Sequence, residues 1–283
     1  MNNRSQFIGT PDPIADQVLL ETLNSAKQIN CTFANLIYQC VQFGFPEEYT
    51  LTMHSFSKIQ LAIDSCLLLI RNGYYGTARA IYRQIYEFIL WARVSLTVSK
   101  EELHTISENF FSARYSESEN GQGRNKTKKF MIIPYIRKNI TWTVPTEFSN
   151  SISKDELETC LKDYFFDLCA ATHASNESQQ LFFIDDSFYE HSMEAVRTLV
   201  ALLGAAADVF NIYLDTEAAY LRTQDELHRL QVLPLDSKTI DMIEKTDKLL
   251  GTIDPNKGPG MHMLNVALRG TWSSKSSGSS NKK

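Results

Sequence analysis

The chain lacks any CxxC pair, and its five cysteines (Cys31, Cys40, Cys66, Cys160 and Cys169) are an odd number, widely scattered. That excludes a disulfide framework and predicts free, mostly buried thiols in a reducing cytoplasm. Cys169 and His173 stand four apart, but two ligands do not make a zinc site, so no metal is expected. Long hydrophobic runs are missing too. "SCLLLI" (65–70) is far shorter than the roughly 18 apolar residues of a membrane span, so no membrane partner is expected. The opening "MNNRSQFIGTPDP" has no apolar run after its arginine and does not read as a secretory signal. There is no P-loop, GxGxxG, HExxH or GxSxG, and hence no sign of a cofactor or of a common catalytic centre. Excess charge is small: −5 argues against binding nucleic acid over most of the surface. A local basic patch is still allowed, and the loop "GRNKTKK" (123–129) is one, read first as a solvated loop and second as a phosphate contact.

What is present is helical periodicity. Apolar residues make up 43 % and charged residues 22 % of the 283, as in an ordinary globular protein. Residues 1–13 read as a flexible polar arm and 14–252 as one helical domain. Helices are predicted near 15–45, 52–72, 75–97, 100–118, 154–174, 187–216 and 223–250. Thr50 or Thr52 is a candidate cap for the second, and Ser99 for the fourth. "RNGYYG" (71–76) is a tight turn that makes 52–97 a helical hairpin. Residues 118–152 form a polar loop and an irregular stretch with room for a short strand. A Gly–Pro linker and short apolar segment (253–272) can latch onto the body or dock on a partner. The Ser-rich tail 273–283 is expected to be disordered. About seven helices with short links make an all-α bundle.

The third helix raises the functional question. Arg79, Arg83 and Glu87 are spaced four apart, on one side of a helix that is otherwise apolar and aromatic. On a helical wheel Arg93 falls on the same side, and Tyr82, Tyr86, Leu90 and Trp91 stand among these charges, so the stripe is not an ordinary solvated face. Buried charges require partners. In a hairpin pivoting at Gly73–Tyr74, Asp64 lies level with Arg83 and is the expected counter-ion, leaving Arg79 free. The stripe then has two readings. It fixes helix register, or it holds an arginine toward a cleft for a planar anion such as phosphate or carboxylate. A later stretch, "YFFDLCAATHAS" (164–175), offers Tyr164 and His173 near a helix end. His173 is either a capping residue favoured by the helix dipole or an acid–base group beside the arginines.

"RNGYYGTARAIYRQIYEFILWA" followed by "YFFDLCAATHAS" resembles a set of bacterial helical proteins of unknown function. These pair an Arg-x3-Arg-x3-Glu helix with a later Tyr…His helix end. Arg79, Arg83, Glu87, Tyr164 and His173 occupy the matching positions, over residues 50–175. Some of these proteins are similar to the HEPN superfamily, helical nucleotide-binding or RNA-cleaving modules of antiphage and toxin systems. The resemblance implies a nucleotide or RNA as partner and no cofactor. Its catalytic form is a metal-independent ribonuclease with an Arg followed four to six residues later by His. "RTQDELH", Arg222 to His228, is the close match, although Thr223 departs from the usual pattern and this spacing also arises by chance in a chain of this length.

Three functions follow as expectations. The first is a binding or regulatory module for an anionic ligand, working in a stress or antiphage system. The second is the ribonuclease. The third is a structural protein acting as a homo-oligomer or with a partner protein.

Overall fold

The structure, a computed structural model, describes residues 14–43, 45, 47–112, 132–143, 155, 159, 168, 188–214, 216 and 267–275. These residues are all-α apart from one two-stranded ribbon. The order is α1 (Gln17–Phe43), a 3₁₀ turn (Glu47–Tyr49), α2 (Thr50–Arg71), α3 (Tyr75–Ser95), α4 (Lys100–Ser112), α5 (Ile132–Asn139), β1 (Ile140–Thr143), α6 (Phe188–Leu214) and β2 (Thr271–Ser274).

The hairpin of α2 and α3 is the centre of the fold. Gly73 sits at φ 82°, a left-handed conformation that side chains resist, and lets the chain reverse there. Its N–H donates to the Ile70 carbonyl at 3.0 Å and that of Tyr74 to Leu69 at 2.9 Å, closing off the end of α2. The Cys66 thiol reaches the Ala78 carbonyl at 3.8 Å near this turn. Thr52 and Ser95 share a buried hydroxyl bond of 2.6 Å at the opposite end. Thr52 is therefore an interhelical strut and not a cap. The cap position of α2 is Tyr49, and the Thr50 hydroxyl bonds back to Glu47. Ser99 does cap α4, accepting from the Glu102 N–H at 3.2 Å.

Four rings tie α1, α2 and α6 together. Phe33, Phe56 and Phe210 meet edge-to-face with centroids 4.9–5.9 Å apart, and Tyr213 lies against Phe56 and Phe210. Within α6, Ser192–Leu214 is long and apolar enough by length and composition to cross a membrane, yet 78 % of that window is buried inside the fold. Its alanines (Ala201, Ala205, Ala206 and Ala207) let neighbouring helices approach closely.

The stretch expected to be irregular or to hold a short strand contains a helix, α5, which was not expected, and the short strand β1. The first residues of the expected disordered tail are instead paired. β2 runs antiparallel to β1, with Ile140 opposite Ser274 and Trp142 opposite Trp272. The pairing is fixed from inside. Arg93 of α3 is only 6 % exposed, and its guanidinium donates to the carbonyls of Leu268 and Gly270, both at 2.9 Å. It also lies 5.1 Å from the centroid of the Trp272 ring. A Cβ on Gly270 would stand 2.2 Å from the Thr143 carbonyl oxygen, so only glycine fits where the C-terminal segment crosses the end of β1. The segment thus latches onto the body through backbone carbonyls, which carry no signature in the side-chain pattern.

Candidate functional site

The charged stripe on α3 forms, but with different partners from those expected. Asp64 is not the counter-ion of Arg83. Its carboxylate accepts from Asn30 Nδ2 at 2.8 Å and Gln60 Nε2 at 2.6 Å, and so faces α1. The reason is azimuth. Cys66 and Ile63 take the buried positions of α2, and Asp64 is turned far enough from them to be solvent-exposed. Distance from the turn sets the level of a residue in a hairpin but not the side on which it emerges.

Arg83 pairs within its own helix, Nε to Glu87 Oε1 at 3.0 Å, both side chains about one-third exposed or less. Arg79, expected to be free, reaches across to α6 and meets Glu194 at 3.4 Å. Arg79 is 29 % and Glu194 46 % exposed, so this pair stands at the edge of the α3/α6 seam and not in its core. Just beneath, the Tyr82 hydroxyl donates to the Ala195 carbonyl at 2.7 Å in a buried bond. The two helices are thus pinned at one level by a dry hydrogen bond and a wetter ion pair.

α3 and α6 run in the same direction. Arg79 and Tyr82 meet Glu194 and Ala195 at one end. Further along, Phe210 meets Phe56, from the half of α2 that pairs with the far end of α3. Arg83 therefore lies one turn onward from Arg79, and Arg197 just under one turn onward from Glu194 on the same face of α6. Arg197 is 8 % exposed as a whole residue, and its nitrogens are not among the buried polar atoms left without a partner.

Glu194 and Arg197 were absent from the sequence reading. The signal was there, since they are the only charges in the 16 residues from Ser192 to Ala207, an otherwise apolar and small-residue stretch. Arg93, placed by the helical wheel on the charged side, is the deeply buried latch residue and not part of the seam's mouth. Tyr164, His173, Arg222 and His228 lie outside the described residues, as do Cys160 and Cys169. Among the described cysteines, Cys40 and Cys66 are buried and Cys31 is exposed. No cluster of three or more potential metal ligands occurs among the described residues.

A separate cavity of about 200 Å³ opens between α1 and α2, lined by Leu20, Leu23 and Leu67 and rimmed by Lys27, Asp64 and Arg71. Of the sequence candidates it includes Asp64 alone. Asp64 is thereby removed from the arginine site and placed at an unrelated surface.

No family model, curated protein or solved structure matches the chain. The all-α fold and the α3/α6 seam are what the molecule itself offers toward a function.

Proposed function

We propose that the chain is a binding or regulatory module of the bacterial cytoplasm, and that it takes an anionic ligand of the nucleotide or RNA-like kind at the α3/α6 seam. Arg79 and Arg83 are the recognition groups, with Glu87 and Glu194 holding them in place before the ligand arrives. The sequence resemblance pairs this arginine helix with Tyr164 and His173, which lie outside the described residues. The observation that carries the reading is the Arg79–Glu194 pair, 3.4 Å apart and open to water on both sides.

An exposed ion pair of this kind contributes only about 0–1 kcal/mol. It orients the guanidinium without committing it, because a phosphate or carboxylate on a ligand can replace the glutamate at little loss. A planar guanidinium then grips such an anion through two parallel hydrogen bonds. A pair built only to hold the two helices together would be drier, as the Tyr82–Ala195 bond is.

Titration of the protein with a nucleoside monophosphate, followed by calorimetry, tests the reading. Arg79→Ala is expected to weaken binding at least about tenfold, the loss of one charge-assisted contact. Glu194→Gln, which removes the competing carboxylate, is expected to tighten it. If neither variant changes binding, the seam is not the site.

A further inference from the structure

We propose that the cavity between α1 and α2 is a second ligand site, apart from the α3/α6 seam, and that it takes a small organic acid with an apolar body, the carboxylate lying on Arg71. α1 lines the cavity with Leu20, Leu23 and Lys27, and α2 lines it with Leu67, Leu68 and Arg71. On each helix these positions follow the three- and four-residue spacing of a single face. The helices run antiparallel: Asn30 of α1 bonds to Gln60 and Asp64 of α2, while Phe33, further along α1, meets Phe56, earlier in α2. Leu20 is therefore about level with Arg71, and Lys27 with Asp64. The cavity is a trough bounded by Arg71 at one end and by Lys27 and Asp64 at the other, about 10 Å apart at 1.5 Å per residue.

Between these ends the wall is leucine. Leu23 and Leu67 are buried, and Leu68 stands 65 % exposed at the lip, where a bound apolar body would cover it. The volume of about 200 Å³ exceeds the roughly 150 Å³ of an apolar cavity that takes benzene, so the body is somewhat larger than a benzene ring. The two ends are not equivalent. Asp64 is held toward α1 by Asn30 Nδ2 at 2.8 Å and Gln60 Nε2 at 2.6 Å, level with Lys27. Arg71 takes part in no ion pair among the described residues. Of the lining residues, two cations and one carboxylate leave one positive charge over, at the Arg71 end. A carboxylate carries one negative charge and fits the planar fork of a guanidinium. A phosphate monoester carries nearly two and would leave the excess unmatched beside leucine.

The test is calorimetric titration of the full chain with three probes: octanoate, whose extended chain spans the trough; 1-octanol, the same body without the charge; and acetate, the charge without the body. Octanoate is expected to bind saturably, one per chain, at least about tenfold tighter than either control. Arg71→Gln is expected to weaken octanoate at least about tenfold and to leave octanol unchanged. Leu68→Glu, which sets a carboxylate at the lip, is expected to abolish octanoate binding. Both positions are exposed, so the thermal midpoints of these variants are expected to stay near that of the wild type. Arg79→Ala, at the seam, is expected to leave octanoate binding unchanged.

Equal affinity for octanoate and octanol, or octanoate binding by Arg71→Gln within about twofold of wild type, overturns the placing of a carboxylate on Arg71. Absence of saturable octanoate binding, or its loss in Arg79→Ala but not in Leu68→Glu, overturns the site itself. Neither result touches the reading of the α3/α6 seam, which its own ligand tests.

Discussion

Tyr82 of α3 donates its hydroxyl proton to the carbonyl of Ala195 in α6, 2.7 Å away and sealed from water, one residue from the exposed glutamate that meets Arg79. This bond sets how the two arginine-bearing helices are aligned. Tyr82→Phe is expected to lower stability by about 1 kcal/mol, the net worth of a neutral buried hydrogen bond. The thermal midpoint should fall by about 2–4 °C in a chain of this size. Ligand affinity should fall as well, because the alignment loosens. Thermal unfolding with and without ligand separates the two effects.

Arg93 is expected to govern the C-terminal latch. Arg93→Met removes both donors to the Leu268 and Gly270 carbonyls and should destabilise the protein by about 2–4 kcal/mol. The ribbon of β1 and β2 should become protease-sensitive near residues 268–275, while α2 and α3 stay protected. Gly270→Ala should produce the same cleavage pattern with Arg93 intact, because its Cβ collides with the Thr143 carbonyl. Limited proteolysis followed by mass spectrometry reads both. Cleavage patterns identical to wild type would show that the latch does not hold this segment.

The buried thiols give a pH dependence of fixed sign. Burial pushes Cys66 from 9.0 up to about 12 and Cys40 up to about 11. The folded state then keeps protons that the unfolded state loses above about pH 9. Stability from this source is complete below pH 9 and declines as pH rises toward 11–12. At about pH 10.5 the loss should approach about 2 kcal/mol per thiol. Cys66→Ala should flatten the decline, whatever its effect on baseline stability. Urea midpoints across this range measure it. A thiol reagent at neutral pH should modify exposed Cys31 at once and Cys40 and Cys66 only on unfolding.

The hairpin turn makes a further prediction. Gly73→Ala forces a side chain into a left-handed backbone at φ 82° and should lower stability by about 1–2 kcal/mol, measured by chemical denaturation. Asn72 and Tyr74 carry no such restriction.

The hairpin was legible because each of its signals is local: the turn "RNGYYG", the apolar period on both sides, and Ser99 ahead of two acids. Helix α6 was legible for the same reason. The stripe of Arg79, Arg83 and Glu87 stood out because charge is rare among so many rings. Its partners were not legible. Asp64 was matched to Arg83 by counting from the turn, which gives level along the axis but not azimuth. Glu194 and Arg197 come from a helix more than 100 residues away, and a single sequence does not state which helices are neighbours. Arg93 was misplaced for a related reason. Its partners are backbone carbonyls 175 and 177 residues onward, and backbone acceptors look alike in every sequence.

The central claim is that the arginines of the α3/α6 seam bind an anion. The most direct measurement is mass spectrometry of small molecules and nucleic acid released from freshly purified native protein, beside an Arg79→Ala/Arg83→Ala variant of matched circular dichroism. Wild type should release a phosphate-bearing molecule in a fixed ratio to protein, and the folded variant should release none. If both are empty, and the variant differs only by melting earlier, the account is contradicted: the stripe is then the register lock of a helical bundle.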